Sequence, residues 1–379
     1  MHAPRLNTVP APAAKPGTEP RPLILALRAL AALVILWHHF ASYPPLSAWA
    51  APLLGPALEW LAAHARATQV FFVVGGYVMA LSMAHRDWRL PTALGRYTLQ
   101  RYLRLGLPYL AAMALVCLAY LYGEDWLPEE VAGTPVNLPQ LLAHLFFLQA
   151  ILGYEQLSAG FWFVCINFQL SLVYALTLWL RDGPARGRWN VPLILGTLLA
   201  ALALFHTNLE ASWDSWWLYF FPYFFMGVVI HHAVHHARSP RTFVLYALLF
   251  VAAMAFEWRW RLLSALLVGV LLWHAEWRGW GARWPRQPLL LGLGKIAYSL
   301  FLVHFPVLVF VAALWTRMGF NSPEMAAAGL AFAFAGSLAL AHFFHRWIEQ
   351  PAATLARRLH RPAAAHGAAG YETPLWQGR

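Results

Sequence analysis

The stretch LILALRALAALVILWHHFASY, Leu23 to Tyr43, decides the fold. As a helix it is long enough to cross a hydrocarbon core of about 30 Å, yet Arg28, His38 and His39 lie inside it. Ionisable side chains in an apolar span are costly and need a reason. Arg28 and His39 are eleven residues apart, so on a helix they lie roughly 16 Å apart along the axis but only about 20° apart around it. They share a face. His38 points about 100° away from its neighbour, which makes His39 the histidine aligned with Arg28.

The rest of the chain repeats this pattern. Of 379 residues, 60% are hydrophobic and 11% charged, with mean hydropathy +0.52, whereas a soluble chain carries about a quarter charged residues. Apolar stretches recur near 23–43, 65–84, 98–121, 160–180, 191–207, 215–232, 242–257, 259–275, 289–314 and 325–347, with a short apolar segment at 138–152. This pattern predicts an all-α, polytopic integral membrane protein of about ten transmembrane helices plus one short re-entrant or interfacial segment. The membrane domain is expected over 22–351. Residues 1–21, rich in Ala and Pro, lack the basic start and apolar core of a signal sequence and read as a disordered cytoplasmic tail. Residues 352–379 read as a second cytoplasmic tail.

Loop charge sets the expected orientation. With the N-terminus cytoplasmic, His85, Arg86, Arg89 and Arg96 lie inside, while Glu124, Asp125, Glu129 and Glu130 lie outside. A full crossing at 138–152 would then put Arg181, Arg186 and Arg188 outside and invert every later loop. If that segment does not cross, those arginines are inside, together with Arg278, Arg283, Arg286, Arg357 and Arg358. Ten spans with both termini cytoplasmic satisfy all the loops. Arg28 then sits toward the cytoplasm and His39 toward the outside. The net charge of +11 follows from this bias, so no nucleic-acid partner is expected. Membrane lipid is.

Arg101 and Arg104, three apart where the third span begins, are adjacent on one helix face and suit a phosphate or pyrophosphate group; the competing reading is an ordinary positive-inside flank. Arg28 likewise reads either as an anion-binding group or as a side chain that snorkels to the headgroups. His231, His232, His235 and His236 form two i, i+4 pairs, but no carboxylate completes a zinc motif and no metal site is expected. Cys117 and Cys165 lie in apolar runs, where a thiol behaves as a small hydrophobe. Trp213, Trp216, Trp217 and Trp258 fit an interfacial belt. Glu59, Glu210 and Asp214 fall near outer loops, on the side where His39 lies.

In chain order, several pieces resemble the membrane-bound acyltransferase family 3. They are Arg28 with His39, Phe71-Phe72-Val73-Val74-Gly75-Gly76-Tyr77, Arg101 with Arg104, Phe161-Trp162-Phe163, Gly294 to Pro306, and Arg346-Trp347-Ile348-Glu349-Gln350-Pro351. The resemblance implies an O-acyltransferase of the cytoplasmic membrane of a bacterium. Its donor would be cytoplasmic acyl-CoA, most often acetyl-CoA, and its acceptor a hydroxyl of an extracytoplasmic glycan. It implies His39 as the catalytic group and Arg28, Arg101 and Arg104 as the groups holding the anionic part of coenzyme A. His304 and Tyr298 would line the same cavity; for His304, a hydrogen bond between helices is the competing reading. Two departures stand out. Gly75 replaces a common Ser, and Asn167 stands where the family often has Glu, so at that site an amide replaces a base. Succinyl or longer donors, or a peptide, lipid or metabolite acceptor, stay open as variants. A non-catalytic transporter of glycans or small anions is the rival of another class, although no internal repeat marks one.

Overall fold

The computed structural model describes residues 21–65, 67–84, 86, 88–90, 92–128, 131, 136–182 and 191–359. The first expected tail, apart from Arg21, lies outside these residues, as do the second tail from 360 on, His85, Glu129, Glu130, Arg186 and Arg188. Within them the fold is all helical, with no strand. The helices are α1 (Pro22–Ser42), α2 (Leu46–His64), α3 (Thr68–Met83), α4 (Ala93–Gly123), α5 (Leu138–Leu145), α6 (Phe161–Asp182) and α7 (Val191–Phe205). They continue as α8 (Trp217–His235), α9 (Pro240–Phe256), α10 (Trp260–Arg278), α11 (Pro288–Arg317), α12 (Pro323–Phe344) and α13 (Gln350–Arg358).

Each of the ten expected spans falls on a helix, but seven are long and apolar enough to cross a membrane, or eight if α2 and α3, bent by 42°, form one broken span. The shortfall from ten has physical reasons. Helix α9 has 17 residues and rises about 25 Å, whereas the α7 span continues through a 3-10 turn to Leu209 and reaches 18 residues; α10 carries Arg261, Glu276 and Arg278 near its ends. Helix α2 falls in a stretch that the apolar pattern left as a loop, and Glu59 sits on it. Pro52 and Pro56 disguise it, because proline inside a helix removes a hydrogen bond. Both prolines lie on the exposed side, away from the buried Leu46, Ala50 and Leu58. At the other end, residues 352–358 lie in helix α13.

The segment at 138–152 does not cross. Helix α5 has eight residues and rises only about 12 Å. Pairings across the bundle agree: Arg101 meets Asn167 and Tyr109 meets Phe161, so α4 and α6 are antiparallel neighbours. Helices α1 and α11 run parallel, with Leu25 against Gly294 and His39 against His304. Helices α4 and α11 are parallel too, pairing Leu105 with Tyr298 and Tyr122 with Phe310.

Glycines set the two closest crossings. A Cβ on Gly294 would fall 2.2 Å from the Leu25 carbonyl oxygen, locking α11 to α1. A Cβ on Gly227 of α8 would fall 2.0 Å from Val73 O and 2.3 Å from Tyr77 N, and one on Gly76 of α3 1.8 Å from Phe224 O. Small residues at such crossings let backbones touch where lipid supplies no hydrophobic drive. Gly227→Ala is therefore expected to cost about 3 kcal/mol or more, the upper end for overpacking, because backbone atoms cannot rotate away. Thermal unfolding in detergent checks this against Gly292→Ala, a site with nothing within 4 Å; equal midpoints would refute the tight crossing.

Candidate functional site

The α1–α11 contact at Leu25 and Gly294 sets the level of everything above it. About one turn further along lie Arg28 and Tyr298, and beyond them His39 and His304. Arg28, Arg101, Arg104, Asn167 and Tyr298 line one cavity with about 970 Å³ of empty space, partly continuous with solvent. Helix α4 supplies the pair three residues apart: Arg104 is exposed, whereas Arg101 is partly buried. Arg101 Nη2 donates to Asn167 Oδ1 at 2.5 Å, and its buried Nε has no partner among the described residues. Tyr298 donates its hydroxyl proton to the Leu105 carbonyl at 2.9 Å, fastening α11 to α4 beside the arginines. Gly75 also lines the cavity, and a Cβ there would meet Asn167 Nδ2 at an ordinary 3.5 Å. Glycine is not sterically required at that position.

His39 and His304 are off this wall and meet each other. His39 Nδ1 lies 2.7 Å from His304 Nε2, the rings nearly parallel with centroids 5.0 Å apart. His304 Nδ1 lies 3.1 Å from the Leu300 carbonyl oxygen. A carbonyl only accepts, so the proton of a neutral His304 is assigned to Nδ1 and its Nε2 becomes an acceptor. His39 must then donate from Nδ1, which leaves His39 Nε2 with its lone pair. This is the arrangement a general base or nucleophile needs, and it takes one partner to orient it. The hydrogen-bond partner of the His39 ring is thus an imidazole and not a carboxylate. His38 Nδ1 instead lies 3.3 Å from the Leu61 carbonyl oxygen of α2.

Three rings separate the two groups. Phe71, Phe163 and Phe301 all line the cavity, with centroids 5.2 to 6.0 Å apart, and the Phe301 ring lies 6.1 Å from that of His304. Glu349 is a residue the spacing arguments missed. It lines the cavity from a π-helical turn, His345–Glu349, of a kind that often marks functional sites. Its Oε2 accepts from Ser299 Oγ at 2.6 Å and from His345 Nδ1 at 2.8 Å. A carboxylate at the end of an apolar span was the available signal.

The histidine pairs of α8 point elsewhere. His235 Nε2 lies 3.1 Å from the Tyr77 hydroxyl, which donates to Glu276 Oε2 at 2.5 Å, and Glu276 also pairs with Arg21. Among the described residues, no three His, Cys, Asp or Glu side chains are disposed to hold a metal ion. Both cysteines are free.

Residues 24–342 match the acyltransferase domain family. Searches of curated proteins and of solved structures returned no match. The matched span opens within α1 and closes within α12, so it takes in both histidines and all three arginines, whereas Glu349 lies just beyond it. With the matching region covering most of the membrane helices, the chain belongs to the membrane-bound acyltransferase family 3 and is an acyltransferase.

Proposed function

We propose that the protein carries an acyl group, acetyl in the simplest case, from acyl-CoA at the cytoplasmic side to a hydroxyl of a glycan on the other side of the membrane. The observation that carries this reading is the convergence of Arg28, Arg101 and Arg104 in one cavity. Three guanidiniums and the Glu349 carboxylate give its wall a formal charge of +2, which matches the two charges of a diphosphate diester. Guanidinium forks suit that group in geometry as well. The slender pantetheine arm would extend from there toward the aromatic rings and the imidazoles beyond them.

The chemistry then follows from the proton inventory. His39 Nε2 takes the acceptor hydroxyl proton as that oxygen bonds to the thioester carbonyl carbon. The C–S bond breaks, and the departing sulfur takes the proton from His39, yielding an ester and free coenzyme A thiol. His304 Nε2 accepts from His39 Nδ1 and so holds the imidazolium while the charge exists. Asn167, held by Arg101, contributes an amide to the cavity wall and no base.

Doubly labelled acetyl-CoA supplied to one face of proteoliposomes holding glycan tests the reading. Acetyl label is expected in the glycan as a base-labile ester, with adenine label left outside. Adenine label inside the vesicles would mean transport, and no transfer of either label would refute the proposal.

A further inference from the structure

Helix α6 carries a second cavity on its other face. Phe163, Val164 and Asn167 face the arginines, whereas Trp162, Cys165, Ile166 and Gln169 border a separate space of about 640 Å³. Gln156, from the loop before α6, and Asp214 and Ser215, from the loop before α8, complete its polar lining, with the Phe220 ring beneath. These loops lie at the N-terminal ends of α6 and α8. Helix α6 is antiparallel to α4, and α4 and α1 both run parallel to α11, so the cavity opens at the end of the bundle where α1 carries His39.

Its chemistry is the reverse of that of the first cavity. The lining holds no cation; it has one carboxylate, two carboxamides, a hydroxyl, and Trp162 packed 5.1 Å from Phe220. Gln169 Oε1 is buried with no partner among the described residues, its Nε2 being directed to the Phe147 carbonyl. Behind the wall, the fully buried Gln149 repeats the pattern: its Nε2 is shared among Gln156, Cys165 and Tyr109, and its Oε1 has no partner among the described residues. Buried acceptors without donors are costly and call for a ligand with donor groups, which a sugar supplies as hydroxyls, while the Asp214 carboxylate in a lining without a cation disfavours an anionic ligand. Burial beside the loop also raises the Asp214 carboxyl from its ordinary value, with Arg261 opposing the shift. An aromatic surface beside a few oriented polar groups is the usual composition of a pocket for a small polar ring.

We infer that this second cavity binds an uncharged sugar unit of the acceptor, at a distance from the hydroxyl that reacts. The inference rests on the acyl-transfer reading above. Rings link Trp162 to His39 through Phe163, Phe301 and His304 in four steps of 5.0 to 6.1 Å, which limits their separation to about 22 Å. A few linked sugar units cover any separation up to that limit, so one oligosaccharide or polysaccharide chain reaches from this cavity to His39.

Saturation-transfer NMR on the full-length protein in detergent tests this with maltotetraose, cellotetraose and chitotetraose as neutral probes and a hyaluronan tetrasaccharide as the acidic one. At least one neutral tetrasaccharide is expected to show ring-proton saturation, cut by about 3- to 10-fold in Gln169→Leu and in Asp214→Asn, the loss of one hydrogen bond. Coenzyme A binding, measured on the same samples, should be unchanged, which shows that the variants are folded. The inference is overturned if no tetrasaccharide saturates, if only the acidic one does, or if both variants bind like the parent. Failure of the parent to bind coenzyme A would instead count against the donor reading.

Discussion

His39→Ala is expected to lower acyl transfer by about 10²- to 10⁴-fold, the range for removing a general base, while coenzyme A binding stays as in the parent. The reason is positional. His39 Nε2 is the ring nitrogen left with a lone pair once the Leu300 carbonyl has claimed the His304 Nδ1 proton and His304 Nε2 has claimed that of His39. His304→Ala should cost less, about 10-fold, because it removes the orienting partner and leaves the base. His38→Ala should be near normal, since His38 turns to the Leu61 carbonyl. Turnover by purified variants of equal thermal stability measures all three. Full transfer by His39→Ala would remove the histidine from the reaction, and a larger loss in His304→Ala than in His39→Ala would exchange their roles. The loss should fall on kcat, because a base acts on the transition state and not on donor binding.

How much of this was legible in the sequence depended on which physical signal a residue emitted. Helical periodicity put Arg28 and His39 on one face, and the same arithmetic kept His38 apart; both hold because α1 is an unbroken helix. Loop charge indicated that 138–152 stays on one side, and the antiparallel pairing of α4 with α6 agrees with it. Arithmetic along one helix, however, carries no information about neighbours. Nothing in the spacing of His39 announces that its partner is His304, 265 residues later, because that contact depends on the glycine crossing at Leu25. Nor does it put the ring wall of Phe71, Phe163 and Phe301 between the arginines and the imidazoles. Helix α2 was hidden by two prolines whose lost hydrogen bonds fall on an exposed side. Glu349 was hidden in the Arg346–Pro351 motif, where a π turn, invisible to a 3.6-residue period, swings it into the cavity.

The second large effect concerns donor binding. Arg101→Ala combined with Arg104→Ala is expected to weaken coenzyme A binding by about 10²-fold or more, since each charge-assisted hydrogen bond contributes about 1.5–3 kcal/mol. Two arginines three apart at a helix end would also satisfy the charge bias of a membrane protein's loops alone, so the measurement must separate the readings. Their environments already differ. A topological arginine needs only to reach headgroups, as the exposed Arg104 can, but Arg101 is turned inward onto Asn167 and keeps a buried Nε with no partner among the described residues. Holding such a donor in a cavity is costly unless an acceptor arrives. Salt provides the discriminating axis. Binding through +2 of wall charge should weaken as ionic strength rises, and the slope should flatten in the double variant. Glu349→Gln moves the wall charge the other way, to +3, and should tighten binding and steepen the salt dependence if Ser299 still holds the new amide oxygen. Isothermal titration with coenzyme A at two salt concentrations reads all of this. Unchanged affinity in the arginine double variant would return the pair to topology. Weaker binding in Glu349→Gln would show that the carboxylate shapes the arginine cavity more than it discharges it.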